Sequence, residues 1–498
     1  MKHGLLSAGC CLLTALCLTL AAAPTLLFPL ALLALAPLVA HDRRRGWVRF
    51  AMGWGAGLLT QAFSYYWIYY TVRDFGGQSV FISGLGAFAF WLFQGLDLGL
   101  WLLLYPWFAQ RLYRGDNPRL RALIYAVCAA AWWLLLQRWV FPYVFPWSFG
   151  SLLNGWAPLM KAAALWSVFG LGFWMVMCQV LFVKAVTKSW DRPLTGAALA
   201  ALVLPLLLGA GFHQRVETDT WRVGVVQPNL IPWAKRGRVS VEERVRAHLQ
   251  PTLSFKHRNV DLVVWPETAM SFVLARSERY QAQLRFLAKQ LKAPIVTGAV
   301  GRLENRKVTN EIWMITPDDA PPQMYRKQNL VLFSERLPWI LSWAKFFDPA
   351  LGGFSAGTED RTFTWRERSF IPMVCFEALL SDYVRRFEGH AILNLTNDAW
   401  FGETKASALH LMMIQARTTE LGVPLIRSTN SGISCWVDRD GRIHDPSPLY
   451  EARADIYEVQ MPRTISRKWL WLGDVLVAVF AVGTLLFARF REQRNNAG

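Results

Sequence analysis

Three short runs within one hydrophilic stretch place a carboxylate, an amine and a thiol in the order Glu267, Lys327 and Cys375. Glu267 and Cys375 each close an apolar run with the pattern of a buried strand. Catalysis by a thiol requires a group that takes the proton of the sulfur and a cation or donor that stabilises the oxyanion. A triad of Glu, Lys and Cys supplies the sulfur nucleophile, the group that takes its proton and the cation that stabilises the oxyanion.

Each of these residues also has a simpler interpretation. Glu267 could be a strand-end carboxylate that faces water, and Lys327 could belong to a solvated basic loop. Cys375 could be a core residue, or it could form a disulfide with Cys435, the other cysteine of the stretch, because two thiols in an oxidising compartment can pair. Taken singly, none of the three runs decides between chemistry and structure.

Apolar segments dominate the rest of the chain. Of its 498 residues, 53% are hydrophobic and 18% are charged, whereas a soluble protein usually carries about 25% charged residues. A helix of roughly 20 apolar residues crosses a bilayer. Candidate spans lie at roughly 4–21, 24–40, 50–71, 80–108, 122–137, 160–183, 194–212 and 468–488. The sequence therefore predicts a seven-span domain at 1–212, a globular domain at 213–465, and a closing span with its tail at 466–498.

The first span could instead be a signal peptide, because Lys2 precedes an apolar run that ends in alanines. Pro24 would then follow the cleavage site and block cleavage.

Basic clusters follow the second, fourth, sixth and last spans, and the alternate connections are poor in Lys and Arg. By the positive-inside rule, residues 213–465 lie outside the cytoplasm. The net charge of +18 then reflects topology and attraction to anionic lipid, so no nucleic-acid partner is predicted.

The globular stretch alternates strand patterns with helical patterns, which predicts an α/β domain with a buried sheet. Active-site groups of such domains commonly lie at the carboxyl ends of strands. The predicted strands are 222–226, 261–265, 294–300, 309–316, 371–374, 390–395 and 424–427, and the predicted helices are 240–257, 277–292 and 404–421.

Neither a metal nor an organic cofactor is predicted. The eight histidines are scattered and show no paired ligand spacing. The sequence also has no glycine-rich loop of the kind that binds phosphate.

Together the runs resemble the nitrilase superfamily, and within it the membrane-bound apolipoprotein N-acyltransferase family. Further resemblance lies in the run 226–229, in Asn397-Asp398-Ala399-Trp400-Phe401-Gly402 and in the run from Arg427 to Gly432. The resemblance covers nearly the whole chain and implies an α-β-β-α sandwich attached to a bundle of about eight membrane spans. Two departures stand out. Leu332 and Ser334 replace the family's proline and glycine, and Trp233-Ala234-Lys235 replaces its Lys-Trp pair.

The resemblance also implies an activity. Cys375 would take an acyl chain from a phospholipid, with phosphatidylethanolamine the expected donor, and hold it as a thioester. The acceptor would be the α-amino group of the diacylglyceryl-cysteine of a bacterial apolipoprotein, on the periplasmic face of the inner membrane. Glu267 would act as the general base, and Lys327 would stabilise the oxyanion.

Other residues are predicted to support the triad. Glu335 and Glu377 would position the lysine, although Glu377 could equally be a surface carboxylate. The residues expected to contact substrate are Trp147, Tyr325, Asn397 and Trp400. The aromatic residues near Trp147 could also be an ordinary interfacial belt.

Two other functions fit parts of the sequence. A membrane-tethered amidase of the nitrilase type would use the same triad and transfer the acyl group to water, but a small amide needs no eight-span anchor. A transporter or receptor would use buried charges within the spans, for which Asp97 in the fourth span is the best candidate. That second alternative leaves the Glu-Lys-Cys set without a role.

Overall fold

The computed structural model describes residues 2–187, 190–230, 240–337, 353–465 and 468–496. The chain divides into two compact units, one formed by Met1–His213 with Lys468–Gly498 and the other by Gln214–Arg467. The run Trp233-Ala234-Lys235 lies outside the described residues.

The described part of the first unit is helical. Its α-helices are α1 (Lys2–Ala21), α2 (Ala36–Val39), α3 (Gly46–Ser64), α4 (Trp67–Tyr70), α5 (Val80–Gln94), α6 (Leu96–Leu112), α7 (Pro118–Leu135), α8 (Ala157–Met160), α9 (Ala163–Val186), α10 (Arg192–Gly211) and the C-terminal helix (Leu470–Asn496). Shorter 3-10 segments cover Phe28–Leu32 and Phe149–Gly155, and π-helical turns cover Thr71–Phe75 and Leu136–Val140.

In the described residues, five helical segments are long and apolar enough to cross a membrane. They are Val80–Leu112, Pro118–Val140, Ala163–Val186, Arg192–Gly211 and Leu470–Arg494. These segments confirm the fourth to eighth predicted spans by length and composition. The first and second predicted spans fall on the shorter apolar helices Leu5–Ala21 and Phe28–Val39, and the third falls on α3. The prediction of about eight long spans is therefore confirmed only in part.

The second predicted span, 24–40, is wrong as one continuous helix. It contains the 3-10 segment Phe28–Leu32 and the single turn of α2, each with a proline in its first two positions. Proline has no N–H to donate and clashes with the preceding turn, so it begins a helix and does not continue one. Pro29 and Pro37 thus divide the apolar run.

Glycines bring α3 and the junction of α5 with α6 into backbone contact. A Cβ on Gly57 would lie 2.2 Å from the carbonyl oxygen of Gly95, and one on Gly53 would lie 2.4 Å from that of Leu98. Small residues four apart allow this close approach of helices in a membrane. The crossing fixes the point at which α5 gives way to α6.

The second unit contains two β-sheets. Its strands are β1 (Thr218–Gln227), β2 (Leu262–Val264), β3 (Met270–Val273), β4 (Ile295–Arg302), β5 (Val308–Ile315), β6 (Gln323–Arg326), β7 (Phe363–Trp365), β8 (Arg368–Val374), β9 (Ala391–Thr396), β10 (Leu425–Thr429), β11 (Cys435–Val437), β12 (Ile443–His444) and β13 (Arg453–Pro462). The first sheet has the order β13-β1-β2-β4-β5-β6, with β3 paired to β4, and the second has the order β12-β11-β10-β9-β8-β7. Strands β1, β2 and β4 run parallel, as do β8, β9 and β10.

Helices cover the outer face of each sheet. The helices of this unit are α11 (Val241–Leu253), α12 (Glu278–Leu291), α13 (Ser381–Val384) and α14 (Ala406–Leu421). Helices α11 and α12 pack on the first sheet, α14 packs on the second, and the two sheets meet through β1 with β10 and β5 with β8. This arrangement is an α-β-β-α sandwich.

Local sequence explains where the helices begin and end. Helix α11 starts at a capping box in which Ser240 and Glu243 satisfy each other's backbone N–H groups. Helix α14 ends at Gly422, whose φ is +68°, as a left-handed C-terminal cap requires. The buried side chains of α12, with Trp265 among their neighbours, form the core between the helices and the first sheet.

All seven predicted strands and all three predicted helices of the globular stretch are confirmed. The prediction missed six strands, which are β3, β6, β7, β11, β12 and β13.

Candidate active site

Glu267 lies just beyond the carboxyl end of β2. The strand is followed by Trp265, which is fully buried and whose indole Nε1 donates a hydrogen bond to Thr252 Oγ1 at 2.9 Å. Pro266 then turns the chain. Glu267 Oε1 accepts a hydrogen bond from Asn310 Nδ2 at 2.7 Å, and Oε2 accepts one from the backbone N of Asn397 at 2.8 Å. The carboxylate is thus held by two donors and does not simply face water.

Burial raises the pKa of Glu267, although the Lys327 ammonium and the two hydrogen bonds oppose this increase. A carboxylate with a raised pKa is a stronger base than a solvated one. The electrostatics therefore suit Glu267 to accept a proton.

The turn that carries Glu267 depends on a glycine in the neighbouring strand. A Cβ on Gly298 of β4 would lie 2.4 Å from the backbone N of Thr268 and 2.6 Å from the Cα of Glu267. Real Cβ atoms do not approach other atoms this closely. Gly298 therefore permits the contact that sets the position of the carboxylate.

Lys327 follows β6 and is 1% exposed. Its backbone N donates to the carbonyl oxygen of Asn310 at 2.8 Å, and its ammonium donates to Glu335 Oε1 at 2.8 Å. Burial would lower the pKa of Lys327, but the carboxylates of Glu335 and Glu267 raise it well above its ordinary value. Lys327 is thus a buried cation, and the alternative of a solvated loop residue is wrong.

Glu335 lies in a tight turn that also contains Leu332 and Ser334, which replace a proline and a glycine of the family that the sequence resembles. Its Oε2 accepts a hydrogen bond from the backbone N of Val331 at 2.9 Å, and its own N donates to the carbonyl oxygen of Val331 at 2.9 Å. Phe333, between Leu332 and Ser334, has a φ of +68°. The turn closes on Val331 and keeps Glu335 on the lysine.

Cys375 lies directly after β8 and begins a 3-10 turn, Cys375–Leu379. Its φ is +49°, a left-handed conformation that costs energy for a residue with a side chain. Burial raises the pKa of the thiol to about 12, the Glu267 carboxylate adds to this increase, and the Lys327 ammonium opposes it. The charges of both other triad members therefore act on this sulfur, and the thiol is protonated at neutral pH.

The disulfide alternative for Cys375 is wrong. Both Cys375 and Cys435 are free. Cys435 begins β11, and β10 and β9 separate that strand from β8. Three strand spacings amount to about 14 Å, whereas the Cα atoms of a disulfide lie within about 7 Å of each other.

Glu377 is fully buried, so the alternative of a surface carboxylate is also wrong. One oxygen accepts hydrogen bonds from the backbone N atoms of Gln328 and Asn329 at 2.7 and 3.1 Å. The other accepts one from the backbone N of Val374 at 3.0 Å. Glu377 therefore ties the loop after Lys327 to the turn that carries Cys375, whereas Glu335 forms the direct ion pair with the lysine.

The residues predicted to contact substrate lie in different surroundings. Tyr325 is fully buried, and its hydroxyl donates to Glu377 at 2.7 Å, so the prediction of a substrate contact is not supported for this residue. Asn397 touches Glu267 through its backbone N, as described above. Trp400 is 42% exposed. Trp147 belongs to the first unit, where its indole Nε1 donates to Asp97 at 3.3 Å.

The sequence did not single out Asn310, although it lies at the centre of the site. Its amide contacts Glu267 at 2.7 Å and Glu335 at 3.5 Å, and its carbonyl holds the backbone of Lys327. The available signal was the polar run Thr309-Asn310-Glu311 in the first half of β5.

A buried polar network behind Cys375 was also missed. Asn394 Nδ2 donates to the carbonyl oxygen of Cys375 at 3.3 Å, and its Oδ1 accepts a hydrogen bond from Arg427 at 2.5 Å. Arg427 also pairs with Asp398 at 2.7 Å, which holds the pKa of that carboxyl well below its usual range despite its burial. His410 lies 3.1 Å from Asp398. These residues fix the backbone at the strained cysteine.

Sequence comparisons cover both units. The carbon–nitrogen hydrolase family profile matches residues 222–467, and the profile of the apolipoprotein N-acyltransferase N-terminal domain matches residues 14–181. The apolipoprotein N-acyltransferase of Azotobacter vinelandii is 30% identical over 496 residues, which cover 95% of this chain and 93% of that protein.

The chain belongs to the apolipoprotein N-acyltransferase family.

Other members of this family match to a similar degree. The Pseudomonas putida apolipoprotein N-acyltransferase is 30% identical over 488 residues, or 93% of this chain and 92% of that one. Among solved structures, a CN-hydrolase superfamily protein from Xanthomonas campestris matches with a TM-score of 0.35 and 17% identity over 48% of this chain and 90% of its own. The assignment rests on the sequence relatives.

Membership of the apolipoprotein N-acyltransferase family makes this chain an acyltransferase with a carbon–nitrogen hydrolase domain. In the described residues, no group of three or more His, Cys, Asp or Glu side chains could hold a metal ion. The side chains present at the site supply a thiol, a base and a buried cation, which together can carry an acyl group as a thioester.

Proposed function

We propose that this acyltransferase moves an acyl chain from a phospholipid, through a thioester on Cys375, to the α-amino group of the diacylglyceryl-cysteine of a bacterial apolipoprotein. The observation that carries the proposal is the buried hydrogen-bond network that joins the three residues. Asn310 links Glu267 to Glu335, the partner of Lys327, and Glu377 links the loop after Lys327 to the turn of Cys375. The similarity over 95% of the chain to relatives named for this reaction supports the choice of substrates.

In the first half-reaction, the Cys375 sulfur attacks the ester carbonyl carbon at the sn-1 position of the phospholipid. Because the pKa of the thiol is raised to about 12, a thiolate does not form in advance at neutral pH. Glu267 therefore takes the proton as the carbon–sulfur bond forms. The carbon–oxygen bond then breaks, and Glu267 returns the proton to the departing lysophospholipid oxygen.

The Lys327 ammonium stabilises the negative oxygen of the tetrahedral intermediate. A donor of this kind contributes about 3 kcal/mol to lowering the barrier. For this role Lys327 must stay protonated although it is buried, and its ion pair with Glu335 at 2.8 Å keeps it charged.

In the second half-reaction, the amine of the apolipoprotein attacks the thioester carbonyl carbon. Glu267 takes a proton from the nitrogen, the carbon–sulfur bond breaks, and the proton passes to the sulfur. The products are the N-acylated lipoprotein and the free Cys375 thiol, so the cycle is ping-pong. The two half-reactions balance in atoms and charge without an oxidant or a reductant.

The substrates explain the membrane spans. Both the donor and the acceptor are anchored in lipid, so we place the enzyme in the bacterial inner membrane with residues 214–467 on the periplasmic face. In the globular unit, exposed Trp400 and the Asn397 turn are proposed substrate contacts. In the helical unit, Trp147 is a proposed contact for an acyl chain. The amidase alternative would use the same three residues to take the acyl group from a small amide and transfer it to water.

One experiment tests the proposal against these alternatives. The full-length protein in detergent is incubated with phosphatidylethanolamine and a diacylated lipopeptide, and the peptide is analysed by mass spectrometry. The expected result is an added acyl mass on the peptide amine, which is lost in Cys375→Ala. Release of free fatty acid without peptide acylation would show transfer to water and so favour a hydrolase, and a Cys375→Ala variant that still acylates the peptide would refute the assigned nucleophile.

A further inference from the structure

Asp97 is a buried carboxylate in the helical unit, at the second residue of α6. Its Oδ1 accepts a hydrogen bond from the backbone N of Leu98 at 2.6 Å. Its Oδ2 accepts two more, from the hydroxyl of Tyr143 at 3.0 Å and from the indole Nε1 of Trp147 at 3.3 Å. All three donors are neutral, and two of them come from one short segment, residues 143–147.

Gln94 binds the same segment three residues before Asp97. Its Oε1 accepts a hydrogen bond from the backbone N of Val144 at 2.8 Å, and its Nε2 donates to the carbonyl oxygen of Phe145 at 3.0 Å. Pro142 and Pro146 prevent this segment from continuing a helix. Because buried backbone groups must be satisfied by the protein, the amide of Gln94 substitutes for the missing helical hydrogen bonds.

Both side chains lie at a close helix crossing. They flank Gly95, where α3 crosses the junction of α5 and α6 at backbone contact. Asp97 and Gln94 therefore form a socket that fixes two backbone groups and two side-chain donors of the segment 143–147.

The segment carries aromatic rings that extend on both sides of the socket. The ring of Phe145 lies 5.4 Å from that of Trp67 and 6.0 Å from that of Tyr65. The ring of Trp147 lies 6.0 Å from that of Trp133. The other rings are buried and pack the segment in place, whereas Trp147 remains partly exposed and offers an apolar surface that matches an acyl chain.

We propose that Asp97 is a positioning residue for the acyl donor, because its carboxylate holds Trp147 and the segment 143–147 in the conformation that receives the phospholipid acyl chain. The claim rests on the proposed function. A carboxylate suits this role better than an amide, since an ionised carboxylate only accepts hydrogen bonds and can take all three donors at once. This role explains the buried carboxylate of Asp97 without the ion path that the transporter alternative requires.

The test compares Asp97→Leu, Asp97→Asn and Tyr143→Phe with the control Asp116→Asn, which alters an exposed acid in the same unit. Phosphatidylethanolamine is varied at a fixed concentration of lipopeptide. We expect Asp97→Leu to raise the KM for phosphatidylethanolamine about tenfold and to leave kcat within about twofold, because two hydrogen bonds to donor-binding groups are lost but the triad is unchanged. Tyr143→Phe and Asp97→Asn should give smaller increases, and adding Tyr143→Phe to Asp97→Leu should have little further effect.

Hydrogen exchange measured by mass spectrometry supplies a second readout that does not require turnover. In the wild-type protein, phosphatidylethanolamine should slow exchange in the peptide that spans residues 141–149. Asp97→Leu should speed exchange there and abolish the protection, while the peptide containing Cys375 is unchanged. If Asp97→Leu fails to fold, Tyr143→Phe and Asp97→Asn carry both measurements.

The outcomes separate the two proposals. Lipid protection of the segment without any acyl transfer would refute the proposed function and retain the role of Asp97. Transfer with an unchanged KM in Asp97→Leu would refute the role of Asp97 alone, as would a loss confined to kcat.

Discussion

The ammonium of Lys327 lies 2.8 Å from each carboxylate oxygen of Glu335. Both groups are almost entirely removed from water, and a buried pair of this kind adds little net stability because desolvation cancels much of the attraction. The pair serves instead to keep a cation charged where burial would otherwise lower its pKa. This relationship leads to the first prediction.

Glu335→Gln should reduce kcat by about 100-fold or more, the loss expected when an oxyanion donor is impaired. Glutamine keeps the shape and one acceptor, but it removes the charge that raises the pKa of Lys327. Acyl transfer is measured for this variant and for the control Glu304→Gln, which alters an exposed carboxylate on the loop between β4 and β5. Equal activity in the two variants would show that Lys327 does not need its partner.

The pH dependence reports on Glu267. Because burial raises the pKa of this carboxyl, the base becomes protonated and activity falls as the pH drops through a value above the ordinary one of about 4.3. Asn310→Leu removes a hydrogen bond that lowers this pKa, so the acid limb of kcat/KM should move to higher pH. A limb that stays in place or moves to lower pH would contradict the role given to Glu267.

Gly298→Ala tests how the Glu267 turn is positioned. The new Cβ would collide with the backbone of Glu267 and Thr268, neither of which is a flexible side-chain end. We expect a destabilisation of about 1–3 kcal/mol with a disproportionate loss of kcat. The control is Gly84→Ala, where nothing lies within 4 Å of an added Cβ. A Gly298→Ala variant with wild-type kcat would show that the turn tolerates displacement.

Arg427→Met tests the network behind Cys375. It removes the guanidinium that pairs with the buried Asp398 carboxylate, a loss of about 3–5 kcal/mol for a buried ion pair, and it frees the amide of Asn394 that holds the cysteine carbonyl. The melting temperature in detergent should fall, and adding Asp398→Asn should restore part of it. Arg366→Met, which breaks the half-exposed pair of Arg366 with Asp261, should cost no more than about 1 kcal/mol. Similar melting temperatures for the two single variants would contradict this account.

The sequence predicted the parts of the site that have local causes. Apolar runs identify buried strands, so the positions of Glu267 and Cys375 at strand ends followed from periodicity. The hydrogen-bond partners of Glu267 and Cys375 could not be predicted in this way. Asn310 and Asn394 reach Glu267 and Cys375 across neighbouring strands, and a polar residue in a predicted strand does not show what it will contact.

The missed strands have a similar explanation. Strands such as β6 and β7 are short and take their stability from pairing with a longer neighbour. Strand β13 alternates polar and apolar residues but lies at a sheet edge, where its antiparallel pairing with β1 decides its conformation. In the helical unit, hydropathy alone overlooked the prolines that divide residues 24–40.

The most direct test of the account is the acyl-enzyme itself. The purified protein is mixed with phosphatidylethanolamine without any acceptor, quenched in acid, and analysed by intact mass and peptide mapping. The account predicts one acyl group in thioester linkage on Cys375, absent in Cys375→Ala and released when lipopeptide is added before the quench. Direct transfer to the lipopeptide, with no acyl group ever found on Cys375, would contradict it.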